Sequence, residues 1–382
     1  MNDPCLPIDS TTSLPYSPVP WSQAQWDRVR QVVAAEAEKS RLAAGFLPLY
    51  GPLSADSDFV RRELIGTQAR PSASAAGSGP NQRLLQIDDT TTTIRLWTLQ
   101  VNLYLRGPQL ADPELTSVLA LFRRAANVLA RLEDTVVFNG IPLLGDTRSQ
   151  AEKQLKLLPP IWEILGRSPD DPSRLMPGLL PDSPQPCPGY DPPDSVDPGQ
   201  GSISYRQWLR VPSPKGEKYG TPAYYADLGY ILVGVISQAI SRIEANGHYG
   251  PFALVLGHGL FEAMQTPNAS SLVLPQDRVI PFLGNGGTLL RSSTLPVNQG
   301  VIMALGGDPV DLVIAKDISV DFLQITPDPA YVFRLHERMV LRIMTPGAIC
   351  GLRLFPDPAS DPVPEPVPEP AKSAARTRTT GP

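Results

Sequence analysis

The chain has 382 residues, 42% of them hydrophobic, which is enough for one large or two ordinary domains with a substantial core. A formal charge of −5 gives no electrostatic drive toward nucleic acid. Three cysteines, Cys5, Cys187 and Cys350, have no CxxC spacing and suggest neither a disulfide framework nor a thiolate zinc site.

Prolines, 44 in all, gather at the start, near residues 169–214 and at the end, and these stretches are not expected in the core. Residues 1–21 read as an N-terminal arm. The first residues, MNDPCLPIDS, lack the basic and apolar regions of an export signal, so a cytoplasmic protein is expected. Residues 22–54 read as a helix and linker. Ser22 and Gln25 form a capping box, and Trp21 and Trp26 occupy the hydrophobic-staple positions. The helix runs to about Leu42 with a thin stripe of Trp26, Val29, Val33 and Ala37, and Gly45 is its stop.

Residues 55–93 are polar and rich in small residues, as in RPSASAAGSGPNQ, and read as a long projecting loop or hairpin. Alternation then sets in, with Trp97, Leu99, Val101, Leu103 and Leu105 on one face of a strand, although a short helix could hide inside it. The strongest helical period follows: Leu115, Val118, Leu119, Phe122, Ala126, Leu129, Leu132 and Val136 predict a helix of about six turns. Arg123, Arg124, Arg131 and Asp134 fall largely off its apolar stripe.

Residues 166–222, with the run PDSPQPCPGYDPPDSVDPGQGS, read as an inserted loop. A second helix carries Tyr225, Leu228, Ile231, Leu232, Val235, Ile236, Ala239, Ile240 and Ile243 and ends at Asn246-Gly247. Its apolar run from Tyr230 to Ile240 is shorter than a bilayer span. FALVLG from Phe252 reads as a buried strand, and short strands are expected at Val279–Leu283, Val301–Leu305, Val310–Ile314 and Ile318–Phe322. Near the end Phe333, Leu335, Met339, Leu341 and Ile343 alternate with Arg334, His336, Arg338 and Arg342. The packed part is therefore α+β, and residues 355–382 form a proline-rich tail expected to be solvated and disordered.

Catalytic signatures are missing from this sequence. There is no Walker A loop, HExxH, GxSxG or dinucleotide fingerprint. Gly284-Asn285-Gly286-Gly287 lacks a following Lys-Ser/Thr and reads as a turn. His248, His258 and His336 have no metal-ligand spacing. Glu133 and Asp134 are adjacent on a helix and point about 100° apart, which favours salt-bridge or capping roles over shared acid–base work. Arg334, Arg338 and Arg342 are expected to pair with neighbouring carboxylates or a partner subunit. No catalytic residue, metal or cofactor is expected, and no membrane or nucleic-acid partner.

The order of elements resembles the encapsulin shell proteins, also known as linocin-like bacteriocins. The likeness is carried by QWDRVRQVVAAEAEKSRLAAGFLPLYGP (Gln25 to Pro52), LYLRGPQLADPEL (Leu103 to Leu115) and, most specifically, LEDTVVFNG (Leu132 to Gly140). It continues through NGHYGPFALVLG (Asn246 to Gly257), GGDPVDLVIAKDISVDF (Gly306 to Phe322) and RLHERMVLRIMTPGAICGLRL (Arg334 to Leu354). The long 166–222 segment and the tail depart from the family pattern.

The resemblance implies the α+β fold of tailed-phage major capsid proteins, with a peripheral domain, an axial domain and an extended loop. Residues 94–354 would hold the two domains, 55–93 the extended loop, and 22–54 a lumen-facing helix. It also implies a subunit that self-assembles into an icosahedral nanocompartment around a cargo enzyme bearing a targeting peptide, in this family often a peroxidase or a ferritin-like protein. The cargo peptide would dock on Trp26, Val29, Val33, Ala37, Ile318 and Val320. A fivefold pore would be lined by Pro267, Asn268, Ala269 and Ser270, in a loop without charge. Some members bind a flavin near a tryptophan; here Leu99 stands at that position, with Trp97 two residues away, and no flavin is expected. The rival readings are a phage or prophage capsid protein packaging DNA, and a secreted bacteriocin or peptidase.

Overall fold

A computed structural model describes residues 19–66, 86–145, 149–167, 176–180, 207–268, 271 and 273–355. Two five-stranded sheets, each with its own helices, form two packed lobes joined through a shared sheet face.

The first lobe is built on helix α1 (Gln23–Ser40) and helix α4 (Thr116–Asn139), which pack on each other. The capping box is present: the Gln25 backbone N–H donates to Ser22 Oγ, and the Ser22 N–H donates to Gln25 Oε1 at 2.9 Å. Trp21 and Trp26 meet edge to face at 5.0 Å, and Trp21 stacks on Phe333 at 5.1 Å. Under these helices lies a sheet with the order β1–β10–β11–β4–β5. Its strands are β1 (Leu49–Tyr50), β4 (Trp97–Arg106), β5 (Trp162–Leu165), β10 (Val310–Ile325) and β11 (Ala330–Ile343). The alternating segment at residue 97 is therefore a strand throughout. Short helices α2 (Ala43–Phe46), α3 (Gly107–Leu110) and α5 (Gln150–Leu155) complete the lobe.

The last turns of α4 are buried all round, which places Glu133 and Asp134 inside, where the helical stripe had put Asp134 outside. The enclosing segment is Met176–Leu180, from within the stretch read as a loop. Leu179 and Leu180 N–H groups donate to the carbonyls of Val137 and Phe138, satisfying orphan acceptors at the helix end. Gly140 and Gly178 permit this approach: a Cβ on Gly140 would stand 2.3 Å from the Met176 carbonyl oxygen.

Among the described residues, strands β2 (Phe59–Gly66) and β3 (Gln86–Arg95) pair only with each other, as an antiparallel ribbon.

The second lobe has the sheet order β6–β12–β9–β7–β8. These strands are β6 (Gln207–Pro212), β7 (Phe252–Gly257), β8 (Thr288–Ser292), β9 (Gln299–Ala304) and β12 (Ile349–Phe355). Helix α6 (Pro222–Ala245) covers one face, joined by α7 (His258–Gln265) and α8 (Pro275–Val279). Thr221 caps α6 and Pro222 occupies its first turn. The helix is long and apolar enough by composition to cross a bilayer, yet its Leu228, Leu232, Ile236, Ala239 and Ile243 lie in the core while Asp227, Ser237 and Glu244 face outward.

Strand β7 is buried on both faces and has lost the in–out polarity of a surface strand. Phe252, Leu254 and Leu256 pack under α6, whereas Ala253 and Val255 join the core of the first lobe. Strand β9 divides in the same way, with Ile302 and Ala304 on one side and Val301 and Met303 on the other.

Three expectations are corrected here. Val310–Ile314 and Ile318–Phe322 are parts of one strand, β10, and not two. Val279–Leu283 is not a strand; α8 runs into a 3-10 turn at Ile280–Leu283, where Pro281 cannot donate to a ladder. Residues 166–222 are not one loop, because β6 within them pairs parallel to β12 and places Leu209 and Val211 in the second core. Gly284–Gly287 is the turn expected, closed by the Gly287 N–H on the Gly284 carbonyl at 3.0 Å. The arm before residue 19, the tail after 355 and most of the insertion lie outside the described residues.

Candidate functional site

Helix α1 packs along α4 and β10, so the six residues assigned to peptide docking are brought to one seam. Their side chains are largely used up there. Val29, Val33 and Ala37 are 0%, 1% and 3% exposed, and Val320 is also buried. These four offer no open apolar surface, because the narrow stripe is consumed in packing the helix on its own chain. Trp26 and Ile318 remain half-buried, and Phe322 is half-buried beside them, with Trp26 and Phe322 both against Phe333 at 6.0 and 5.6 Å. Arg30 lies over the Trp26 ring at 5.8 Å.

At the far end of the seam lies a charge cluster. Arg41, which ends α1, reaches Glu133 Oε2 of α4 with Nε at 2.6 Å, and with Nη2 reaches Glu337 Oε1 of β11 at 2.6 Å and Asp317 Oδ1 of β10 at 2.7 Å. Glu133 and Glu337 are fully buried, while Asp317 sits exposed in an irregular stretch of β10 between Lys316 and Ser319. Asp134 accepts the backbone N–H groups of Leu42 and Ala43 at 3.0 and 2.8 Å, capping the start of α2. The Glu133-Asp134 pair thus divides into a salt bridge and a cap. Desolvation raises the pKa of Glu133 to about 7 and of Asp134 to about 8, and raises Glu337 well above the usual carboxylate range.

This cluster was only half visible in the sequence. Arg41 and Glu337 were not singled out, yet Glu337 falls in the apolar register of Phe333, Leu335, Met339 and Leu341, and a glutamate in that register must be buried. The opposite register behaves as expected. Arg342 binds Asp311, Arg338 reaches Asp58 at 2.7 Å, and Arg334 approaches Asp321 at 3.6 Å. His336, beside them, has its pKa lowered to about 4 by burial and by Lys316, against the pull of Asp321.

The loop assigned to a pore follows α7. Asn268 and Ser271 form an isolated bridge, Pro267 is exposed, and Ala269 and Ser270 lie outside the described residues. The loop has no charge of its own, but Asn268 Nδ2 donates to Asp227 Oδ1 of α6 at 3.3 Å, so a carboxylate stands at its base. Trp97 and Leu99 are buried in the first core. Among the described residues no group of His, Cys, Asp or Glu has the arrangement of a metal site.

Against known proteins, residues 226–340 match the family described as an encapsulating protein for peroxidase. The chain is 28% identical over 117 residues to the type 1 encapsulin shell protein of Myxococcus xanthus, an alignment covering 31% of this chain and 40% of that one. It is 22% identical over 332 residues to a diheme-cytochrome-encapsulin shell fusion protein of Kuenenia stuttgartiensis, covering 87% of this chain and 73% of that one. Among solved structures, the virus-like particle of Pyrococcus furiosus superposes with a TM-score of 0.51 at 13% identity, over 86% of this chain and 99% of that one. The chain thus has the capsid-like fold of that particle. It is similar to the encapsulin family from α6 through most of β11, and to an encapsulin shell fusion along most of its length.

Proposed function

We propose that this chain is the repeating subunit of a closed icosahedral compartment that encloses a protein cargo, and that it contributes geometry rather than catalysis. The observation that carries this reading is the β2–β3 ribbon. It is joined to the body at its base, where Arg338 reaches Asp58 and Arg342 donates to the Arg61 carbonyl, and among the described residues it pairs with no other strand of its own chain. A two-stranded ribbon in water is marginal by itself. Laid over a neighbouring copy, it would be covered, and the same overlap repeated by symmetry closes a shell. In this reading the two lobes are the peripheral and axial domains, and α1 faces the lumen.

Guest docking is placed on the open part of the α1–β10 seam, at Trp26 and Ile318 with Phe322, rather than on the buried stripe. The turn at Pro267–Ser270 is placed at a pore. The cargo class follows the relatives' names, a peroxidase or a haem protein, and the compartment is placed in the cytoplasm.

Size-exclusion chromatography and negative-stain microscopy of the purified chain test the proposal. Closed particles of uniform diameter are expected, without packaged DNA. Replacing residues 59–95 by a short linker should leave a folded subunit that no longer closes. A native chain that stays monomeric at every concentration, or particles that form without the ribbon, would overturn it. Particles filled with DNA would support the capsid reading instead.

A further inference from the structure

We infer that Arg41, Glu133 and Glu337 form a proton-dependent latch that fastens the α1–α2 corner to α4 and to the irregular stretch of β10. The latch is closed while the two glutamates share a proton and loosens when that proton leaves. It operates within one chain and needs neither a cargo nor a shell.

One guanidinium faces Glu133, Glu337 and Asp317 at 2.6 to 2.7 Å, and Asp134 is the residue next to Glu133. Fully ionised, these groups carry one positive and four negative charges, and two of the carboxylates are entirely out of water. Glu133 Oε1 and Glu337 Oε2 are buried without a hydrogen-bond partner among the described residues. Burying an unpaired charge costs several kcal/mol per ion, so the low-energy state keeps a proton in the cluster, where one carboxyl can donate to the other.

Other groups on the packed elements do not relieve the imbalance. On β10, Lys316 is bound to Asp321 at 3.3 Å. On β11, Arg334, His336 and Arg338 occupy the opposite face of the sheet, turned to Asp321 and Asp58. On α1, Glu36 accepts from Ser40 and Asn127, and Lys39 is exposed. Neither Lys39 nor Arg131 of α4 is within ion-pair distance of the four carboxylates. Losing the proton therefore leaves repulsion at the joint where α1 ends, and Arg41 cannot neutralise every partner at once. The corner that gives way is the one Asp134 holds through the Leu42 and Ala43 N–H groups.

The test is amide hydrogen exchange on the full chain at about pH 6 and about pH 9, corrected for intrinsic exchange. Protection at Leu42 and Ala43 should fall at least about tenfold at the higher pH, while the buried strand β7 keeps its protection. Glu337→Gln, which supplies a permanent donor to Glu133, should abolish that difference. On the native chain, infrared spectra should contain a protonated-carboxyl band at about pH 6 that disappears by about pH 9, with Asp134→Asn removing only the part of it that Asp134 contributes. Uniform loss of protection across the chain, or an unchanged difference in E337Q, overturns the latch. Should the variant fail to fold, absence of the carboxyl band from the native chain at about pH 6 overturns it by itself.

Discussion

His336 and Glu337 are neighbours on β11, and their side chains enter opposite worlds. On the helix-covered face, Glu337 meets Arg41 and Glu133, and both carboxylates are fully buried. On the other face, Arg334, Arg338 and Lys316 pair with Asp321 and Asp58, carboxylates that are 38% and 72% exposed. Distances overlap only in part, 2.6 to 2.7 Å on the first side and 2.7 to 3.6 Å on the second. What also differs is solvent, which screens the second set and leaves the first to full Coulomb and desolvation terms. Ion pairs one residue apart in sequence are therefore expected to differ severalfold in energetic consequence.

The widest gap should open on removing the shared cation. Arg41→Met strands two buried glutamates and should destabilise the chain by about 3–5 kcal/mol in chemical denaturation. Adding Glu133→Gln and Glu337→Gln to that variant should recover much of the loss. If R41M alone costs less than about 1 kcal/mol, the two faces do not differ as described.

Next comes pH, which acts on the two faces in opposite directions. Glu133 and Asp134 rise to about 7 and about 8, so the folded chain holds more protons than the unfolded one from about pH 4.5 to 8. Stability falls as pH rises through that window. His336 is lowered to about 4, so the folded chain holds fewer protons between about pH 4 and 6.5. Its own contribution falls there as pH drops. The raised carboxyls outnumber the one lowered imidazole where the windows overlap, so melting temperature should fall as pH rises from about 4.5 to 8, less steeply below about 6.5, with Glu337→Gln flattening the fall and His336→Gln steepening its acid part.

Much of this architecture could be read from local chemistry, and the misses have physical causes. Ser22 and Gln25 announce α1, the Leu115–Val136 period announces α4, and Asn246-Gly247 marks the end of α6. Strand β6 was hidden because QWLRV follows a proline-rich run and acquires its meaning only from β12, over a hundred residues later. The docking stripe was a sound helical pattern, but periodicity states which side is apolar and not whether α4 or a guest covers it. Glu337 was legible in principle, since the strand register that buries Leu335 and Met339 buries it too. Its partner Arg41 sits 296 residues away, and no spacing rule joins them.

An intermediate case lies at the sheet's near end. Arg342 forks onto Asp311 and lies over the Tyr50 ring at 4.3 Å, with side chains 13% and 7% exposed for Arg342 and Asp311. Arg342→Ala should cost about 1–3 kcal/mol by leaving a buried carboxylate under-bonded, less than R41M because only one carboxylate is stranded.

The smallest effect should come from Arg28 and Glu114, which join α1 to the turn before α4 at 3.3 Å. On distance alone this pair would rank near the Lys316–Asp321 contact, yet its side chains are 50% and 76% exposed. Water already solvates both partners, and holding two long side chains together costs rotamer entropy, so Arg28→Ala should change stability by no more than about 0.5 kcal/mol. The pair should weaken further with added salt, whereas the Arg41 cluster should hardly respond, because ions cannot enter the site. Denaturation of R28A and R41M at low and high salt reads both differences at once. A salt response in the buried pair as large as in the exposed one would mean that solvent reaches Glu133 and Glu337, and the contrast between the two faces would collapse.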